Sequence, residues 1–124
     1  MSVKAKQPFK RVAILGLGLI GGSIAAAMKA RDLAVVIVAF DLAPAELAQG
    51  LALGLIDEAA ESAKAAVQGA DLVILAVPVL AIEPLLVQIS RVVSESAVIT
   101  DVGSVKSPII DAARRQVPSL LARI

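Results

Sequence analysis

Three glycines spaced as Gly16-Leu17-Gly18-Leu19-Ile20-Gly21 form a G-x-G-x-x-G segment. This spacing suits a grip on a diphosphate. Gly16 allows a tight turn off a strand. Gly18 lets backbone approach an anion with no Cβ between them, and Gly21 lets a following helix press close to a sheet. If a helix starts at Leu19, the free N–H groups of Leu19, Ile20 and Gly21 point at the anion. The helix dipole adds partial positive charge at the same place. Glycine-rich turns without a ligand share the pattern, so its meaning depends on a strand before it and a helix after it.

Asp41 stands 20 residues beyond Gly21. A carboxylate there, at the end of a second strand, can accept hydrogen bonds from both ribose hydroxyls of an adenosine and repels a 2′-phosphate. No Arg or Lys follows in Leu42-Ala43-Pro44 to offset that repulsion, so the expected cofactor is NAD rather than NADP. Asp41 can equally serve as a helix N-cap ahead of Pro44 and Glu46. Val77 and Pro78 close the apolar run Asp71-Leu72-Val73-Ile74-Leu75-Ala76-Val77-Pro78. In a doubly wound sheet they either wall the nucleotide crevice or simply end a strand. Small and polar residues gather again in Thr100-Asp101-Val102-Gly103-Ser104-Val105-Lys106. Gly103 permits close backbone approach to a cofactor and Asp101 lies on the same rim. Taken by type alone, Asp101 and Ser104 are turn and capping residues before they are anything else.

These residues need a frame. Arg11–Leu15 reads as a buried strand and Leu19–Arg31 as a helix, with Ile20, Ile24, Ala27 and Met28 on one face. Leu33–Phe40 is a second buried strand. Pro44 opens a helix that runs over Ala45–Leu53 to Gly54. A short edge strand falls within Leu55–Ala60, and a helix over Ser62–Gln68. A further strand spans Leu72–Val77, and a helix spans Ala81–Val93 with Pro84 in its first turn. Ala97–Thr100 is a strand, and Ser107-Pro108 starts a last helix. The alternation implies parallel strands with right-handed crossovers, an α/β doubly wound Rossmann sheet. The expected organisation is a tail over 1–10 and one dinucleotide-binding domain over 11–124.

Composition narrows the chemistry. The chain has 124 residues, no Cys and no His. Thiol nucleophiles, Ser-His-Asp triads and Cys/His zinc sites are therefore excluded, and no metal site is expected. Apolar residues make 58% of the chain and eight glycines add to them, above the roughly 45–50% total of an ordinary soluble domain. That suits a sheet covered on both faces, or a domain that a partner covers. Twelve basic and eleven acidic residues are well mixed, and Phe9 and Phe40 are the only aromatics, so nucleic acid is not an expected partner. The uncharged run Val12–Met28 behind Lys4, Lys6, Lys10 and Arg11 imitates a signal sequence. Its glycines make it a poor one, and it falls short of the ~20 residues that span a bilayer.

Three segments together resemble the prephenate/arogenate dehydrogenase family: Gly16-Leu-Gly-Leu-Ile-Gly-Gly-Ser23, Ala70-Asp-Leu-Val-Ile-Leu-Ala-Val-Pro78 and Thr100-Asp-Val-Gly-Ser-Val-Lys106. The first two are shared loosely with other Rossmann reductases; the third is more particular. The resemblance implies a nucleotide-binding domain followed by a helical domain that dimerises and helps build the substrate pocket. It implies oxidative decarboxylation of prephenate or arogenate in tyrosine biosynthesis, in the cytoplasm. Hydride passes to the nicotinamide, and a histidine takes the hydroxyl proton. Ser104 matches the family serine that hydrogen-bonds near that hydroxyl, and Lys106 matches a family position of unassigned role. The family's His-Pro motif, its substrate-binding arginines, its sixth strand and its helical domain would all follow Ile124. The expected chain is therefore a fragment, inactive alone, of a homodimeric enzyme. A non-catalytic NAD-sensing module and a β-hydroxyacid dehydrogenase-like reductase stand as alternatives. Ser-Val-Lys speaks against both, and the sequence downstream of Ile124 separates them.

Overall fold

The computed structural model describes residues 8–102. Their order is β1 (Phe9–Leu15), α1 (Leu19–Ala30), β2 (Ala34–Phe40), α2 (Pro44–Ala52), β3 (Glu58–Ala59), α3 (Ala63–Val67), β4 (Leu72–Leu75), α4 (Val79–Ile89) and β5 (Val98–Asp101). The five strands form one sheet in the order β3-β2-β1-β4-β5, every pairing parallel. The expected α/β doubly wound Rossmann sheet is what the chain forms. The order reverses at β1, so the carboxyl ends of β1, β2 and β4 flank the place where a ligand can enter.

The apolar strands are explained by what covers them. Side chains along β1 alternate between two cores. Ala13 and Leu15 pack with α3 and α4 on one face, in a cluster that includes Val67, Val73, Ile82, Leu86, Ile89 and Ile99. Val12 and Ile14 pack on the other face with Ala25 and Met28 of α1 and with Ile37, Ile56 and Ile74. Both faces of the central strands are covered, so β4 and the second half of β1 read as continuous apolar runs. Each fully buried Val, Leu or Ile side chain contributes about 1.5–3 kcal/mol.

Several boundaries differ from expectation. β1 takes in Phe9 and Lys10, which were expected in the tail, because Phe9 pairs with Ala34 at the start of β2. The buried face of α1 is Gly21, Ala25 and Met28. Ile24 is half-buried, while Ile20 and Ala27 are exposed. The helix turns its smallest residue to the sheet because the backbone there approaches too closely for a larger one. α4 begins at Val79, two residues before the expected start, so Pro84 lies inside the helix and not in its first turn. Pro84 withholds one N–H from the helix ladder. Both Pro84 and Leu80, whose carbonyl is left over, lie at the surface where water can serve. β4 stops at Leu75, so Ala76 and Val77 belong to the loop beyond it. The helix expected from Ser107-Pro108 lies outside the described residues. Among the described residues, no helix is long and apolar enough to cross a membrane.

Candidate functional site

The phosphate loop is the link between β1 and α1. Gly16 has φ +96°, a conformation that side-chain-bearing residues rarely adopt. A Cβ on Gly16 would also collide with the carbonyl oxygen of Ala76 and stand 2.9 Å from Cγ1 of Val77. The Gly16 N–H donates to the Phe40 carbonyl at 2.8 Å, fastening the loop to the end of β2. A Cβ on Gly21 would collide with the Gly16 carbonyl oxygen. Gly18 differs from both, because a Cβ there would meet nothing within 4 Å. Packing therefore does not demand glycine at 18, and open space lies where an anion would approach.

Gly18 is also the N-cap of α1. No side chain caps the helix, and its first turn holds no acidic residue. The first N–H groups of Leu19, Ile20 and Gly21 and the positive end of the helix dipole remain available to a diphosphate. Leu19 and Ile20 are 89% and 56% exposed.

Asp41 follows β2 directly. One carboxylate oxygen, Oδ2, accepts the Leu17 N–H at 2.7 Å, and the other, Oδ1, accepts the Ala43 N–H at 2.8 Å. The N-cap of α2 is Ala43, with no side-chain cap. Asp41 therefore makes a local turn and reaches the phosphate loop, rather than capping α2. Each oxygen keeps a further lone pair for a ribose hydroxyl.

A cleft of about 450 Å³ joins these parts. Gly16, Gly18, Asp41, Val77 and Pro78, all singled out from the sequence, line it together. Its size is within the usual range for small-molecule sites. Residues that the sequence reading missed form its far wall: Ala81, Pro84, Leu85 and Gln88 of α4. Their spacing of three, four and seven is one helical face, a signal present in the expected helix over Ala81–Val93. A second cleft, also about 450 Å³, lies between α1 and α2 and includes Leu19. Ile20 lines neither cleft.

Asp101 ends β5, paired with Leu75. It does not line the cofactor-sized cleft. Its Oδ2 is buried without a hydrogen-bond partner among the described residues. Gly103, Ser104 and Lys106 lie outside the described residues.

With the geometry in place, comparison with known proteins decides the family. The profile described as prephenate dehydrogenase, nucleotide-binding domain, matches residues 24–123. The chain belongs to the prephenate dehydrogenase family. Among curated relatives, prephenate dehydrogenase of Bacillus subtilis (strain 168) is 38% identical over 112 residues, covering 87% of this chain and 29% of the relative. Cyclohexadienyl dehydrogenase of Zymomonas mobilis is 36% identical over 111 residues, covering 90% of this chain and 38% of the relative. The chain thus spans about a third of the length of the family members it matches.

Solved structures agree. Prephenate dehydrogenase from Aquifex aeolicus, in complex with hydroxyphenyl propionate and NAD+, matches with a TM-score of 0.78 and 28% identity. That match covers 94% of this chain and 40% of the other. Synechocystis arogenate dehydrogenase matches with a TM-score of 0.77 and 28% identity, over 86% of this chain and 37% of the other.

Proposed function

We propose that this chain is the NAD-binding domain of a cytoplasmic, homodimeric dehydrogenase that oxidatively decarboxylates prephenate, or its amino analogue arogenate. One observation carries the reading. In a chain of this family, the glycine loop, Asp41 and the loop after β4 gather around one cleft of about 450 Å³. The open space at Gly18 and the uncapped, acid-free start of α1 fit a diphosphate. The two oxygens of Asp41 fit a ribose with free hydroxyls and disfavour a 2′-phosphate.

Each residue has a role in this reading. The N–H groups of Leu19, Ile20 and Gly21 hold the diphosphate. Asp41 holds the adenosine ribose, and Val77 and Pro78 exclude water from the crevice. NAD, when bound, accepts the hydride from the substrate's hydroxyl-bearing ring carbon. Ser104 hydrogen-bonds at that hydroxyl. With no histidine in these 124 residues, the base that takes the hydroxyl proton comes from another part of the protein. Leu42, which lines the cleft and is 91% exposed, supports a covering domain there.

The test is made on the intact protein with NAD and either prephenate or arogenate, following NADH by absorbance. NADH formation with one of them is expected. NAD binding without turnover on either would favour the sensing module instead.

A further inference from the structure

We infer that Asp41 is a positioning residue for the phosphate loop: it holds the Leu17 amide, and so governs the grip on the diphosphate as well as the ribose. This rests on the nucleotide reading above and goes beyond the ribose role. The Gly16 N–H is taken by the Phe40 carbonyl at 2.8 Å, and the next amide, Leu17, is taken by Asp41 Oδ2 at 2.7 Å. Two successive amides of the loop are thus tied to two successive residues at the end of β2.

The ties matter because of what surrounds them. Leu17 lies between two glycines, where backbone restraint is least. On one side its side chain is anchored, 3% exposed in the core shared with α2. On the other side Gly18 starts α1, its carbonyl accepting the Gly22 N–H at 2.8 Å, and a Cβ there would meet nothing within 4 Å. The Leu17–Asp41 hydrogen bond, charge-assisted, ties the link between β1 and this first turn, and so helps fix how the following amides are presented. The remaining carboxylate oxygen is braced by the Ala43 N–H at 2.8 Å, so Asp41 itself is held in place. Lone pairs left on both oxygens let the ribose and loop roles coexist.

The experiment separates them by ligand. ADP and 2′,3′-dideoxy-ADP are titrated against the intact wild-type protein and its Asp41→Ala and Asp41→Asn variants. The dideoxy ligand has a diphosphate but no hydroxyls for Asp41 to hold. Asp41→Ala is expected to weaken dideoxy-ADP about 10-fold, the size of one charge-assisted hydrogen bond. Asp41→Asn keeps one acceptor oxygen, and is expected to fall between. In parallel, NMR-detected hydrogen exchange of the Leu17 amide should speed up in Asp41→Ala while the core amide of Ile14 stays protected. That readout verifies the fold, which a merely structural loss would not leave intact. If Asp41→Ala does not fold, the same comparisons in Asp41→Asn decide. Dideoxy-ADP affinity equal to wild type in a folded variant, or an unchanged Leu17 amide, overturns the positioning role and leaves the ribose role alone. Failure of the wild type to bind either nucleotide overturns the nucleotide reading itself, and this inference with it.

Discussion

Asp57 and Ile37 exchange two hydrogen bonds across the gap between β3 and β2. The Asp57 N–H donates to the Ile37 carbonyl at 2.8 Å, and Asp57 Oδ2 accepts the Ile37 N–H at 2.7 Å. Asp57 Oδ1 meets the Lys29 ammonium near the end of α1. Burial by itself pushes the Asp57 carboxyl up. The Lys29 hydrogen bond, the Ile37 N–H and the Lys29 charge together outweigh it, and hold the group below its ordinary 3.8. A carboxyl lowered on folding stabilises fully above its unfolded value, and the gain is lost as pH falls through the folded value. Asp57→Asn is therefore expected to melt below wild type at neutral pH, with the difference shrinking below about pH 4. Removing the Lys29 side chain instead should cost under about 1 kcal/mol, because that pair is more than one-third exposed. Melting curves from pH 2 to 8 check both.

Asp71 does the same work between β4 and β1. Its N–H donates to the Arg11 carbonyl at 2.9 Å, and its carboxylate accepts the Lys10 and Arg11 N–H groups at 2.9 and 3.0 Å. Both residues stand where strands begin, at the end of the sheet away from the cleft. Asp71→Ala should lower stability by about 1–3 kcal/mol and leave NAD affinity unchanged. Denaturant titration and calorimetric NAD binding on the same sample separate the two effects.

The glycines predict opposite outcomes within one motif. Gly16→Ala meets both a positive φ and the Ala76 carbonyl, and Gly21→Ala meets the Gly16 carbonyl. Each is expected to destabilise the fold by about 1–3 kcal/mol. Gly18→Ala enters open space, so its stability should stay within about 0.5 kcal/mol of wild type while NAD affinity drops. Equal affinity for NAD in Gly18→Ala and wild type would remove Gly18 from the diphosphate site.

Cofactor choice follows from Asp41. Wild type should prefer NAD to NADP, and Asp41→Ala should lose about 1.5–3 kcal/mol of NAD binding, roughly 10–150-fold. Equal binding of both cofactors by wild type would contradict this.

For the proposed reaction, Ser104→Ala should cost about 1.5–4 kcal/mol in turnover, with NAD affinity little changed. Unimpaired turnover per folded molecule would reduce Ser104 to a turn residue. The 124-residue chain alone should bind NAD and produce no NADH from prephenate, because it contains no histidine to act as base.

What the sequence by itself determined is local in origin. Strand–helix alternation, the apolar runs and the glycine spacing each depend on neighbours within a few residues, so they specified the doubly wound sheet and the phosphate loop. Asp41 was legible because its distance from the loop is set by one helix and one strand. The α4 wall of the cleft was missed although its residues lie within the expected helix, since which face of that helix meets the cleft depends on how it packs on the sheet. The buried face of α1 was rotated for a similar reason: Ile20 is more apolar than Gly21, but only Gly21 fits beneath the Gly16 carbonyl. The bond from Leu17 to Asp41, and the roles of Asp57 and Asp71, were invisible in the sequence. Each joins residues 20 to 61 positions apart. Such bonds exist only once parallel register brings strand ends together, and that register is decided by the burial of both sheet faces at once.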